Sequence, residues 1–150
     1  MENIDINLAT EEERDWAAKL LSESDPWITL GINYERCSKA CHDYDYLMYI
    51  SHIENKPCGV IILHRKGAVG SPYIKTIAVS AEFRSSGVGK ALIDFSENLF
   101  RNEAKHIFLC VSSFNKRAQS FYVRLGYEKV GELKDYIING ESEILMHKKL

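Results

Sequence analysis

The sequence predicts an α/β (α+β) fold, a mixed, mostly antiparallel sheet of about seven strands with helices on both faces. Three observations predict it. Apolar residues switch repeatedly between alternation and helical spacing, which gives the order β-α-α-β-β-β-α-β-α-β-β. Two early strands are joined by a four-residue turn signal, Glu54-Asn55-Lys56-Pro57, so they pair as an antiparallel hairpin. Residues 73 to 111 then form one strand-helix-strand passage, whose strands must be parallel and whose crossover must be right-handed. The length of 150 residues suggests one domain over residues 1–150, large enough to build a core without staples.

The elements follow in order. Residues 4–8 alternate as a first strand. Thr10 and Glu13 read as a capping box, and Trp16, Ala17, Leu20 and Leu21 give the helix behind it an apolar face. Asp25-Pro26 ends that helix, and Tyr34, Cys37 and Cys41 share one face of a second, short one. Residues 46–53 and 58–64 are the hairpin strands, residues 67–72 a loop, and residues 73–79 a third long strand. Residues 87–100 form the clearest helix, with Val88, Ala91, Leu92, Phe95 and Leu99 on one stripe. Residues 106–111 are a strand. Asn115 caps a helix with an inner face of Ala118, Phe121, Tyr122 and Leu125, and Gly126 stops it. Strands near 127–133 and 143–147 complete the chain.

Composition excludes several functions. The chain is 45% hydrophobic and 27% charged, which is ordinary for a globular protein. Its 19 basic and 21 acidic residues leave a net charge of −2, with no basic excess for nucleic acid. No apolar run approaches the roughly 20 residues of a membrane span. The acidic start, MENIDINLATEEER, has no apolar core of a signal peptide, so a cytoplasmic protein is expected. The four cysteines, Cys37, Cys41, Cys58 and Cys110, form no CxxC pair and read as reduced thiols. Cys37, Cys41 and His42 lack a second ligand pair, so helix packing explains the cysteines better than a metal does, and no metal is expected.

The segment VSAEFRSSGVGKAL, residues 79–92, carries chemistry of its own. A strand enters a helix whose first amides have no intrahelical partner. Gly87 and Gly89 leave those amides unshielded, the helix dipole favours an anion, Arg84 adds a charge, and Ser85 and Ser86 add hydroxyls. A pyrophosphate suits such a turn. So does nothing at all, since glycines also simply soften turns. The nucleotide P-loop is excluded because Lys90 is followed by Ala91 and the position five before Gly89 is Arg84. The dinucleotide fingerprint is excluded because Leu92 stands at its third glycine.

Two motifs together decide between these readings. Arg84-Ser85-Ser86-Gly87-Val88-Gly89, after the strand Ile77-Ala78-Val79, resembles the [R/Q]-x-x-G-x-[G/A] pyrophosphate loop of the GNAT superfamily of N-acetyltransferases. Asn115, Ala118, Phe121-Tyr122 and Gly126-Tyr127 match every fixed position of the same family's N-x-x-A-x-x-[FL]-Y-x-x-x-G-[FY] motif. The ending, Leu133-Lys134-Asp135-Tyr136 through Ile144-Leu145-Met146, is similar to its last strand pair. Ala81 departs from the proline of many members, which changes turn stiffness and not ligand chemistry.

The resemblance implies acetyl-coenzyme A as cosubstrate, lying between a splayed parallel strand pair. Ile77, Ala78 and Val79 would hold the pantetheine arm by their backbone, with the Val79 amide facing the thioester oxygen. The amides of residues 84–89, with Lys90 beside them, would hold the pyrophosphate. Asn115 would bond the arm as well as cap its helix, and Ala118 would lie against it. Tyr122 sits where the family has its general acid, although a core tyrosine would share the same helix face. The acceptor would be a primary amine, on a small molecule or a peptide, met by Trp27, Tyr34, Tyr73, Asp135 and Tyr136. No carboxylate stands at either strand position where relatives carry a base. A water on Ser112, or Tyr73, His52, Glu35 or Asp135, stays open for that role. The resemblance also implies a homodimer. A coenzyme A binding or sensing module without catalysis is the alternative reading, which the missing base favours and the retained Tyr122 opposes.

Overall fold

The computed structural model describes residues 3–150. Seven strands form one sheet: β1 (Ile4–Leu8), β2 (Leu47–Ile53), β3 (Lys56–Ala68), β4 (Ser71–Val79), β5 (His106–Ser112), β6 (Glu128–Leu133) and β7 (Glu143–Lys149). Their spatial order is β1-β2-β3-β4-β5-β7-β6, and every pairing is antiparallel except that of β4 with β5. Four α-helices cover it: α1 (Glu11–Ser22), α2 (Tyr34–Cys41), α3 (Val88–Phe100) and α4 (Lys116–Arg124). The expected mixed sheet with one parallel pair is therefore present.

Alternation along the strands divides the core in two. Met48, Ile50, Val60 and Ile62 pack with Ala17, Ala18, Leu21, Cys37 and Cys41 of α1 and α2. Their sequence neighbours Ile53, Ile61 and Leu63 pack on the opposite face with Val88, Leu92, Ile93 and Phe100 of α3 and Tyr122 of α4. Side chains hold two of the helix ends. The Thr10–Glu13 capping box starts α1 as expected. The buried Arg14 of α1 donates from Nη1 to the Cys41 carbonyl at 2.7 Å, which satisfies the end of α2 and ties the two helices together. On the other face Tyr127 donates to Glu97 Oε2 at 2.9 Å, and Lys148 Nζ reaches Glu97 Oε1 at 2.9 Å. This cluster fastens α3 to β7.

Two expectations need correction. Residues 67–72 are not a loop: β3 and β4 meet across a two-residue turn, Val69-Gly70, with φ of 50° and 76°. Pro72 looked like a strand breaker, but it falls where the β3–β4 register is irregular and no partner requires its missing N–H. Tyr34 does not share the buried face of Cys37 and Cys41, because it is the first residue of α2 and is exposed. The inner face of α4 is as expected: Tyr122 is buried in the core, and Ala118, Phe121 and Leu125 pack against it half-buried.

Gly59 sets how closely α3 approaches the sheet. A Cβ there would stand 2.7 Å from Ser51 Oγ, 2.9 Å from Val88 Cγ1 and 3.1 Å from Leu92 Cδ1. Gly59→Ala should destabilise the fold by about 1–3 kcal/mol through overpacking, measured as a lower urea midpoint at unchanged slope.

Candidate active site

The site begins where two parallel strands separate. β4 pairs with β5 only at Tyr73↔Phe108 and Ile74↔Leu109. On its other side β4 stays bonded to β3, but the register shifts between Ile62 and Leu63, whose partners are Thr76 and Ile74. Lys75 is thus the extra residue of a bulge, and a bulge bends the strand that carries it. β5 meanwhile follows β7 over its whole length, from His106↔Lys149 to Ser112↔Glu143. From Lys75 onward β4 and β5 run apart. The Ser80 amide donates to the Cys58 carbonyl at 2.9 Å, toward β3. Backbone N–H groups alternate sides along a strand, so those of Val79 and Ile77 face the gap instead. They have no protein strand to pair with there.

At the end of β4 the chain makes a single 3-10 turn, Ala81–Phe83, and enters α3 through Arg84 to Gly87. Ser85 and Gly87 adopt positive φ, 65° and 87°, which folds the loop over the helix start. The first intrahelical bond runs from the Ala91 amide to the Gly87 carbonyl at 3.0 Å. Among the described residues the amides of Ser85, Ser86, Gly87, Val88, Gly89 and Lys90 have no backbone acceptor. Arg84 differs from the expectation, because its amide is turned to the Ala81 carbonyl at 3.4 Å and its Nε to the Val79 carbonyl at 3.3 Å. Arg117 of α4 reaches across to Ser85 Oγ at 3.4 Å, which adds a second guanidinium to the loop. Sequence reading missed Arg117, since it lies inside the other motif and only the packing of α4 brings it here.

Two cavities meet along the gap. One, of about 700 Å³, is lined by Ile77, Ala78 and Val79, by Arg84, Ser85, Gly87, Gly89 and Lys90 of the loop, and by Arg117 and Phe121. The other, of about 560 Å³, is lined by Tyr73 to Ile77 of β4, Leu109 to Ser112 of β5, Tyr122, Tyr136 and Glu143. Trp27, Asn115 and Ala118 line both. Asn115 accepts from the Ala118 amide at its Oδ1, 3.2 Å, so it is the helix cap it was expected to be. Tyr122 is buried against Phe121 and edge-on to Tyr127, and its hydroxyl has no hydrogen-bond partner among the described residues. Burial pushes its pKa up to about 12.

A strand gap beside a helix start with free amides and two guanidinium groups is a frame for an extended chain ending in phosphates. A model of the acetyltransferase (GNAT) family matches residues 8–127. This chain belongs to that family. An uncharacterized N-acetyltransferase of Methanocaldococcus jannaschii is 36% identical over 110 residues, covering 71% of this chain and 68% of the relative. An N-alpha-acetyltransferase of Saccharolobus solfataricus is 28% identical over 120 residues, 72% of each. The fold also matches a GNAT family acetyltransferase from Elizabethkingia anophelis, solved with acetyl-CoA bound, with a TM-score of 0.76, 18% identity and complete coverage of both chains.

For a GNAT N-acetyltransferase, the remaining expected residues sort by position. Trp27, Tyr73 and Tyr136 line the second cavity. Tyr34 and Glu35 do not. Asp135 does not either: it adopts φ of 52° and accepts from the Gly140 amide at 2.7 Å, closing the β6–β7 loop. His52 is paired with Glu13 of α1. Tyr73 is held above its ordinary range by burial and by its hydrogen-bonded neighbour Cys110. Asp25, beside Trp27, lines the cavity as well, and Arg36 and Glu143 reach it unforeseen. Glu143 is the buried carboxylate that both strand positions lacked, and it comes from β7 because its partner in register is Ser112.

The loop geometry rests on Gly87. A Cβ there would meet nothing, so only its left-handed backbone demands glycine. Gly87→Ala should cost about 1 kcal/mol of stability and Gly87→Asn less, read as urea midpoints.

Proposed function

We propose that the chain moves an acetyl group from acetyl-coenzyme A directly to a primary amine, with Tyr122 as general acid. The observation that carries this reading is the gap itself, which joins free strand amides, a phosphate-ready helix start and a buried tyrosine along one channel. The residues fit acetyl-coenzyme A. Ile77 and Val79 would hold the pantetheine arm by their N–H groups, the amides of 85–90 with Arg84 and Arg117 would hold the phosphates, and Asn115 lies between the two. When bound, this cosubstrate supplies an acetyl thioester.

The chain's own groups supply the rest. The Val79 N–H is a preorganised donor for negative charge developing on the acetyl oxygen. Burial raises an already weak acid, so Tyr122 keeps its proton through the neutral and mildly alkaline range in which free amine appears. It can therefore protonate a departing sulfur. The two cysteines lining the acceptor cavity, Cys37 and Cys110, are both pushed up by burial and remain thiols. Neither is primed as a nucleophile, which favours transfer without an acyl-enzyme. The acceptor side lies between the α1–α2 segment, with Trp27 and Leu30, and the β6–β7 loop, with Tyr136 and Ile137. The N-alpha-acetyltransferase of Saccharolobus solfataricus makes a peptide N-terminal amine the first acceptor to test.

Acetyl-coenzyme A should raise the melting temperature, and Gly89→Asp should weaken its binding at least tenfold in titration calorimetry by placing negative charge among the loop amides. Unchanged affinity in the folded variant would remove the phosphate assignment. Tyr122→Phe should leave that affinity near the parent's while lowering the single-turnover acetylation rate about 100-fold or more. A rate within about twofold of the parent would leave Tyr122 a packing residue only. A panel of peptides, polyamines and aminoglycosides, followed by thiol release, identifies the acceptor. Binding of acetyl-coenzyme A with no transfer to any amine would support the non-catalytic module instead.

A further inference from the structure

Glu143 is a buried acid without a cation. It opens β7 and is 9% exposed. Its Oε2 accepts from the Ser112 hydroxyl at 2.7 Å, across a register pair of β7 and β5. Among the described residues no other group hydrogen-bonds to it and no lysine, arginine or histidine forms an ion pair with it. Its surroundings are Tyr73 of β4, Cys110 and Ser112 of β5, and Tyr136 of the β6–β7 loop, all on the same cavity as Tyr122. Asp25, Arg36 and Lys75 line that cavity too, without pairing with it. A buried carboxylate with no cation beside it works against the fold. Nothing in the packing of β7 needs that charge, since Ser112 would donate equally to a glutamine.

We infer that Glu143 receives the acceptor amine in its ammonium form and takes its proton. The proposal rests on the amine-acetylating reading above and names the base that reading lacks. The proton balance closes. The ammonium gives one proton to the Glu143 carboxylate. The freed lone pair makes the C–N bond, the C–S bond breaks, and the departing sulfur takes the Tyr122 proton. The second proton leaving the nitrogen restores the phenol, and Glu143 releases its own to solvent. Burial, the largest influence on Glu143, raises its pKa against the Ser112 hydrogen bond, which makes it a better proton acceptor than an exposed glutamate.

The test is Glu143→Gln, which keeps the shape and the Ser112 bond, assayed on a glycyl peptide and on the same peptide carrying an aminooxy group in place of its amine. The aminooxy nitrogen is already neutral at pH 7 and needs no base. Expected are a fall in kcat/KM of about 100-fold for the amine and less than about threefold for the aminooxy acceptor. The parent profile should rise as Glu143 ionises and stay level through neutrality. The variant's should instead climb toward the acceptor's own pKa, about 8 for a peptide amine. Stability supplies a readout without substrate. A carboxyl whose folded pKa is raised contributes stability below its unfolded pKa and loses it as pH rises through the folded one. Glu143→Gln should therefore melt at or above the parent at pH 7, with the difference shrinking toward pH 4. Equal losses on both acceptors, a lower melting temperature with a matching loss of activity, or no loss at all would each overturn the role of Glu143 while leaving amine acetylation standing. A parent that binds acetyl-coenzyme A but acetylates no amine would overturn the underlying reading and this one with it.

Discussion

β4 is bonded to β3 along nearly its whole length and to β5 at only two residues. That imbalance governs the molecule. A parallel strand inside a sheet normally satisfies its backbone on both sides. Here the extra residue Lys75 turns β4 while β5 stays in register with β7, so one row of amides is left to the gap. The gap cannot collapse, because each strand is anchored away from it. β4 is held by the hydrophobic residues it shares with β3 and α3, and β5 by its complete ladder with β7. The unsatisfied backbone is thus a fixed feature of the fold, and a ligand with an amide-bearing arm can complete it.

The two helices that follow these strands inherit their positions from the same divergence. α3 starts where β4 ends, so its free amides lie at one mouth of the gap. α4 starts where β5 ends, so Asn115, Ala118 and Tyr122 lie along the gap's floor. Phe121 joins the two starts: a Cβ on Gly89 would stand 3.3 Å from its ring. Tyr127 then links them from beneath, edge-on to Tyr122 and hydrogen-bonded to Glu97 of α3. Tertiary packing, and not helix propensity, therefore sets the distance between the start of α3 and Tyr122.

What was legible in the sequence is what is local in the chain. The capping box of α1, the Asn115 cap, the stripe of α3 and the glycines of the 84–89 turn each express their chemistry within a few residues. The helix start with its free amides needed no knowledge of the rest. Register was not legible. Nothing around Lys75 marks a bulge, because a bulge is a relation between β4 and β3 and not a property of either. Val69-Gly70 was hidden for a related reason: Pro72 and three nearby glycine or serine residues look like loop until an irregular register absorbs them. Glu143 of β7 and Arg36 of α2 come from separate elements and converge only in space. Asp135, which the resemblance placed among the substrate contacts, accepts from the Gly140 amide within its own loop.

Burial acts on Tyr122 and Glu143 in the same direction. Both line one cavity, and both are pushed up mainly by loss of water around the charged form. For a phenol, whose ordinary pKa is near 10, a rise holds the proton that the proposed acid role requires. For a carboxylate, whose ordinary pKa lies well below neutrality, a rise brings its proton affinity toward that of an amine, as the proposed base role requires. Nearby charges would have moved such a pair in unequal ways, and a cation fixed on the carboxylate would have lowered its affinity for a proton. Among the described residues no such cation is paired with Glu143, and its one hydrogen bond comes from a neutral hydroxyl. One cavity between two diverging strands therefore shifts a phenol and a carboxylate together, through a single physical cause.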